Sequence, residues 1–290
     1  MWRSKIVAQV RQGSGKDHQV AETPLTVKRG KIFDNYLGMT VDFSQPGKVI
    51  FSMVDYIERV IAETPDELMK GPCSTPAANH LFRVDDKAEL LDKEKAETYH
   101  HLTAMILYLA KKTRPDIQTA ISFLTTRVKA PTTDDWKKLG RCIRYIAVTK
   151  SLPLTLEAGE ECIIKWWVDA SYAVHPNMRS HTGAVMSLGK GSPYSICSKQ
   201  KVNARSSTEA ELIGVNDAMA LVIWTRLFIE AQGYKVKDNV VYQDNQSAML
   251  LENNRKRSSS KKTRHIEIRY FFVTDNIKRK QMRVEYCPTR

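Results

Sequence analysis

The stretch SSTEAELIGVNDAMALVIWTRLFIEAQG, Ser206 to Gly233, constrains the fold of this 290-residue chain more than any other. Ser206, Ser207 and Thr208 offer hydroxyl oxygens for the free N–H groups of a helix start, and Gly233 offers a stop. Between them apolar residues fall on most faces, and such a helix must be buried against other elements. The covering elements lie close by in sequence. CIIKWWVDA, GAVMSL and PYSICS read as three short strands, the last two joined through GKGS, and VVYQ reads as a fourth beyond the helix. The helix NQSAMLLEN, the helix HIEIRYFFVTDNI and a last strand MRVEYC complete the series. Three antiparallel strands followed by helix, strand, helices and strand predict an α/β unit, a mixed sheet with helices packed on it.

The preceding half has a different pattern. Over residues 1–88, KIFDNYLGMTVDF and GKVIFSM read as two strands joined by SQPG, VDYIERVIAET as a helix and GPCSTPAANH as a connector. Residues 89–156 read as a helical segment. ETYHHLTAMILYLAKK is apolar enough to be a buried helix. Arg114-Pro115-Asp116 opens the next helix, with proline at a first turn where its missing N–H costs nothing. TTDDWKKLGRCIRYIAV starts with capping residues and sets Trp136, Leu139, Ile143 and Ile146 on one face. SLPLTLEAGEE closes this half, with Glu157 to Glu161 as the expected linker to a unit over 162–290.

Composition narrows the function. Hydrophobic residues at 42% and charged residues at 27% sustain a core. No run of about 18 apolar residues occurs, so no membrane partner is expected. The opening MWRSKIVAQV lacks the apolar block of a signal peptide, so an intracellular location is expected, in cytoplasm or nucleus. Five scattered cysteines (Cys73, Cys142, Cys162, Cys197, Cys287) form no CxxC pair, which points to reduced thiols and away from zinc. The net charge of +13 is unevenly shared: residues 162–290 hold 21 Lys+Arg against 11 Asp+Glu, and the residues before them 24 against 21. Arg255 to Arg283 alone holds 11 basic residues and two acids. Such a cluster suits a polyanion such as nucleic acid; a solvated surface or a localisation signal has the same composition.

Three acids stand at element ends. Asp169 ends the first strand of the second unit, Glu211 lies near the start of its long helix, and Asp244 ends its fourth strand. They are 42 and 33 residues apart, so only folding can unite them. Each has an ordinary use: Asp169 in a turn, Glu211 on a helix surface, Asp244 as the cap of the helix that follows. Glu209, two positions before Glu211, is expected on a solvated face. If the first and fourth strands are neighbours, however, Asp169 and Asp244 lie side by side and the docked helix brings Glu211 to them. Three clustered carboxylates repel one another unless cations neutralise them. Hard divalent ions with oxygen ligands, Mg²⁺ or Mn²⁺, suit such a set. A pair of them about 3.5–4 Å apart can stabilise both oxygens of a phosphodiester displacement.

The motifs VDASYAV, RSHTGAV, SKQKVNARSSTEAEL, YQDNQSAMLL, KTRHIEIRYFFV and VEYCPT, in this order, resemble the ribonuclease H domain of copia-type retrotransposon polyproteins. NYLGMTVDF, STPAANH and YHHLTAMILYLAKKTRPDIQTAISFLTTRV resemble the segments after the polymerase active site of the same polyproteins. The resemblance runs from about Lys31 to Thr289. It implies a ribonuclease H-like mixed sheet with flanking helices, preceded by a partial reverse-transcriptase remnant with a thumb-like helical part. In the family such domains cut the RNA strand of an RNA–DNA hybrid with two Mg²⁺ ions, for which Mn²⁺ can substitute. Asp169, Glu211 and Asp244 match the family's first three metal-binding acids and are its catalytic residues here.

The resemblance also implies partners: the hybrid itself, and the rest of a polyprotein or retroelement particle. Asn245, Gln246, Lys261, Lys262, Arg264 and His265 are the expected nucleic-acid contacts, with Lys111, Lys112 and Arg114 gripping duplex from the thumb-like part. A Tyr-x-Asp-Asp strand occurs nowhere, so no polymerase site is expected; Asp85-Asp86 reads as a surface turn. The family carries a further helix with a fourth acid after VEYCPT, and Glu267 is the candidate substitute for it. A nucleic-acid-binding remnant without chemistry is the alternative function. An integrase-like transferase of the same superfold requires a different spacing of acids.

Overall fold

The computed structural model describes residues 33–254 and 272–288. In the first half, β1 (Phe33–Tyr36) and β2 (Met39–Asp42) form a hairpin, and β3 (Lys48–Ser52) pairs with β2. KIFDNYLGMTVDF is therefore not one strand. Leu37 and Gly38 take φ values of 51° and 73° and reverse the chain inside it. The helices α1 (Val54–Ala62), α2 (Lys93–Lys112), α3 (Gln118–Thr125) and α4 (Thr133–Val148) share one apolar core. Trp136, Leu139, Ile143 and Ile146 are all buried in it, as the helical spacing requires. Thr132 and Asp135 cap α4 reciprocally, each side chain accepting the other's backbone N–H.

The expected linker is partly strand. β4 (Leu154–Ala158) takes in Glu157 and pairs antiparallel with β3, extending the first sheet. Sequence periodicity could not show this, because the partner strand lies about a hundred residues earlier.

The second sheet has the order β10-β9-β5-β6-β8. β5 (Ile163–Ser171), β6 (His181–Ser187) and β8 (Tyr194–Lys199) are antiparallel. β9 (Asp238–Gln243) runs parallel to β5, and β10 (Arg283–Tyr286) parallel to β9. α5 (Ser207–Ala231) lies on this sheet, packing Val215, Ala218, Met219 and Val222 against Ile164, Trp166, Val168 and Val241. α6 (Gln246–Asn254) follows β9, and residues 272–278 are helical. This is the ribonuclease H-like mixed sheet. By length and composition alone α5 could cross a bilayer; here one face packs on the sheet, while Trp224, Leu227 and Phe228 are exposed.

Two contacts tie the halves together. β7 (Gly189–Lys190), between β6 and β8, pairs with β4 in the first sheet. Only glycine fits the approach at Gly191: its φ is +73°, and a Cβ would lie 2.1 Å from the Thr155 carbonyl oxygen. The second contact covers the edge strand β8, whose open backbone groups would otherwise invite pairing. Ser122 donates to the Cys197 carbonyl at 2.8 Å, and Gln118 and Lys111 donate to the Ser195 carbonyl at 3.3 and 3.4 Å. Phe82 packs edge-on against Phe123 and His175 and tilted against His181.

Candidate metal centre

β5 and β9 set two of the acids by register. Trp167 lies opposite Tyr242 with stacked rings 5.4 Å apart. Two residues further on are Asp169, within β5, and Asp244, just beyond the end of β9. Asp169 is exposed and Asp244 half-buried. The third acid comes from α5. Ser206 caps that helix by accepting the Glu209 N–H at 3.2 Å, which places Glu211 in the first turns, over the end of β5. Glu211 is 5% exposed, and its Oε1 accepts the Ala170 N–H at 3.2 Å. Asp169, Glu211 and Asp244 each present a carboxylate oxygen, all within 4.8 Å of one another.

The electrostatics follow from that closeness. Burial first, and then the charge of Asp169, push the Glu211 carboxyl from 4.5 up to about 8. Asp244 adds to the rise, while the Ala170 N–H and the Gln243 amide oppose it. The second carboxylate oxygen of Glu211, Oε2, is buried without a hydrogen-bond partner. A buried acceptor left unpaired beside two further carboxylates fits a cation, because positive charge is what the set lacks. Oxygen-only ligands suit a hard divalent ion.

Asp244 and its neighbour divide two tasks that sequence left open. Asn245, not Asp244, caps α6: its Oδ1 accepts the Ala248 N–H at 3.0 Å. Gln246 is exposed in the first turn. Glu209 departs from expectation, being 6% exposed rather than solvated. Its Oε2 accepts the Arg205 N–H at 2.8 Å, so it serves the helix start. Sequence reasoning also missed Glu252, a fully buried acid of α6. Its signal was the spacing of four from Ala248, which puts both on one helix face.

The basic groups are divided as well. Lys261, Lys262, Arg264, His265 and Glu267 lie outside the described residues. Arg279 pairs with Asp275 at 3.0 Å, and Arg283 with Asp238 at 2.5 Å and with Glu285. Arg114 is not available to a duplex. It is 1% exposed, donates to both Asp116 oxygens at 2.9 and 2.8 Å, and donates to the Thr149 carbonyl at 3.0 Å.

No protein-family model matches the chain. It is 29% identical, over 82% of its length, to the retrovirus-related Pol polyprotein from transposon TNT 1-94 of Nicotiana tabacum. It is 30% identical, over 81% of its length, to the Pol polyprotein from transposon RE1 of Arabidopsis thaliana. The chain is a relative of the Pol polyproteins of copia-type transposons. It spans 18% and 16% of the length of these two polyproteins. Among solved structures, a foamy viral protease-reverse transcriptase in complex with double-stranded DNA overlaps 90% of this chain and 38% of its own. That overlap has a TM-score of 0.49 at 8% identity, so the fold rests on the strand order itself. The chain thus contains a retroelement ribonuclease H-like region.

Proposed function

We propose that this Pol-related chain is a metal-dependent endonuclease of the ribonuclease H type, cutting the RNA strand of an RNA–DNA hybrid. The observation that carries the reading is the convergence of Asp169, Glu211 and Asp244 from two strands and a helix, with Glu211 Oε2 unpaired in their midst. Divalent cations, Mg²⁺ in the cell and Mn²⁺ as its substitute, would be held by these three side chains and would supply a water activated for attack and charge for the leaving oxygen. The chain's own part is placement. The Ala170 N–H fixes Glu211 Oε1, and Oε2 is left without a hydrogen-bond partner among the described residues. Asp169 and Asp244 complete the set, and Asn245 caps α6. Phosphate contacts fall to the basic stretch from Arg255 to Arg264.

End-labelled RNA–DNA hybrid incubated with the purified chain tests the reading. RNA-strand cleavage that needs Mg²⁺ or Mn²⁺, and that falls at least about a hundredfold in Asp169→Asn and in Asp244→Asn, is expected. Hybrid binding with no cleavage under any divalent ion would leave a binding remnant instead. Cleavage retained in both variants would remove the metal centre from the chemistry.

A further inference from the structure

Behind the three acids lies a fourth. Glu252 of α6 is fully buried, and neither of its carboxylate oxygens has a hydrogen-bond partner. Its backbone is held at both ends of the local structure. Asn245 caps the helix, and the Thr274 hydroxyl donates to the Glu252 carbonyl at 2.8 Å. α6 packs on α5, and the two acids act on each other across that contact. The charge of Glu211 reaches the Glu252 carboxyl there. An interior carboxyl is ordinarily paired with a cationic side chain or bonded by donors, because the group is costly to desolvate. Glu252 has neither among the described residues. Glu211 Oε2, on the neighbouring helix, is likewise without a partner among the described residues. Packing alone would be served better at this position by an apolar side chain. The deficit is positive charge.

Resting on the metal-centre reading above, we propose that Glu252 is a fourth carboxylate of that centre, a positioning residue that holds Glu211 and its cation from the protein side. Asp169 is exposed and Asp244 partly so, and water and salt weaken their pull on a cation. Glu252 acts from the interior, where its field is least screened. Glu211 then stands between an outer pair and an inner acid. A cation drawn to Glu211 is balanced on both sides, and the carboxylate is kept from turning away. Outer-shell groups that orient a metal ligand contribute to affinity without touching the ion.

The test is calorimetric titration of the full chain with Mn²⁺, without nucleic acid, paired with thermal melts in EDTA. Glu252→Gln keeps shape and removes the charge. Its Mn²⁺ affinity should fall by about tenfold to a hundredfold, while its melting temperature in EDTA holds or rises. Glu252→Asp withdraws the carboxylate by one methylene and should give an intermediate affinity. It also serves as the readout if the glutamine variant fails to fold. Glu209→Ala, which loses the bond to the Arg205 N–H, should melt earlier with Mn²⁺ affinity unchanged. Wild-type affinity in the Glu252 variants, alongside binding lost in Glu211→Gln, would overturn this inference and leave the metal centre standing. No Mn²⁺ binding by the wild-type chain would overturn both.

Discussion

Without a cation, Glu211 should make the fold sensitive to alkali, and Glu211→Gln should cure it. The carboxyl is raised from 4.5 to about 8 by burial and by Asp169, so the folded chain holds its proton where the unfolded chain has lost it. Stability is therefore full below about pH 4.5 and falls as pH rises towards 8. At about 1.4 kcal/mol per pH unit over that window, the loss by pH 8 is about 4 kcal/mol. Local relaxation and water entry reduce it, so about 2–4 kcal/mol is the expected range. For a chain of this size that is a fall of about 5–15 °C in melting temperature. Glu252 is raised to about 8 in the same window. Because the two carboxyls act on each other, their costs are shared rather than summed. Thermal melts in EDTA from pH 6.5 to 8, above the range in which His175 and His181 change stability, measure the effect. The wild-type curve should descend, Glu211→Gln should flatten much of it, and millimolar Mn²⁺ should flatten it without any substitution. A level wild-type curve in EDTA, or a glutamine variant less stable at pH 8, would refute the burial and repulsion argued for this site.

Other parts of the chain give independent checks. Replacing Lys261 and Lys262 with alanine should weaken binding to all hybrids alike and reduce the logarithmic salt slope by about 0.9 for each phosphate no longer neutralised; an unchanged slope would assign them to a solvated surface. Gly191→Ala places a Cβ 2.1 Å from the Thr155 carbonyl oxygen at a φ of +73°, so a urea midpoint should record a loss of about 2 kcal/mol. Full stability there would mean that β7 can leave β4 at no cost. Burial holds His175 and His181 at about 4, below their ordinary 6.5, with their mutual repulsion adding to the shift of His175. As neutral rings they favour the fold above pH 6.5 and lose that contribution as pH falls towards 4, opposite in sign to the two acids. The gap in melting temperature between wild type and His175→Gln should therefore change in the histidine's disfavour from pH 6.5 to 4.

Much of the second unit was legible in the sequence because its elements carry local signals. IIKWWVDA and VVYQD each end an apolar run in an acid, and the register of β5 with β9 turns two such endings into one site. The helix beginning at Ser207 announced itself through Ser206. The acids of that helix were harder to sort. Ser206-Ser207-Thr208-Glu209 has the spacing of a capping box, a reason for Glu209 to turn back towards the chain and be buried. Glu252 carried only a weaker signal. An acid four residues after a buried alanine reads as a solvated helix position unless the helix is known to be covered on that side. What covers it is α5, and no local pattern states which helix packs on which. β4 and β7 were illegible for the same reason, each owing its existence to a partner in the other half.

The commitments of the first half bear on where a polyanion can be held. Arg114 is spent on Asp116 and Thr149, Lys111 reaches the Ser195 carbonyl, and Lys112 lies over the Tyr108 ring at 5.6 Å. The Arg114 and Lys112 interactions stabilise internal structure, and that of Lys111 joins α2 to the edge of the second sheet. A helical part so engaged acts as a brace for β8 more than as a grip on duplex. Arg279 and Arg283 are likewise paired with acids, which lowers their value to a phosphate. On the proposed function, phosphate contact is then expected of the run from Arg255 to Arg264, which follows α6 directly in sequence. The helix that carries Glu252 to the inner side of the metal centre thus also leads into the chain's densest stretch of positive charge. A substitution in α6 that shifts the helix should therefore disturb cation affinity and the salt dependence of hybrid binding together, whereas Glu252→Gln, which leaves the helix in place, should change the first alone.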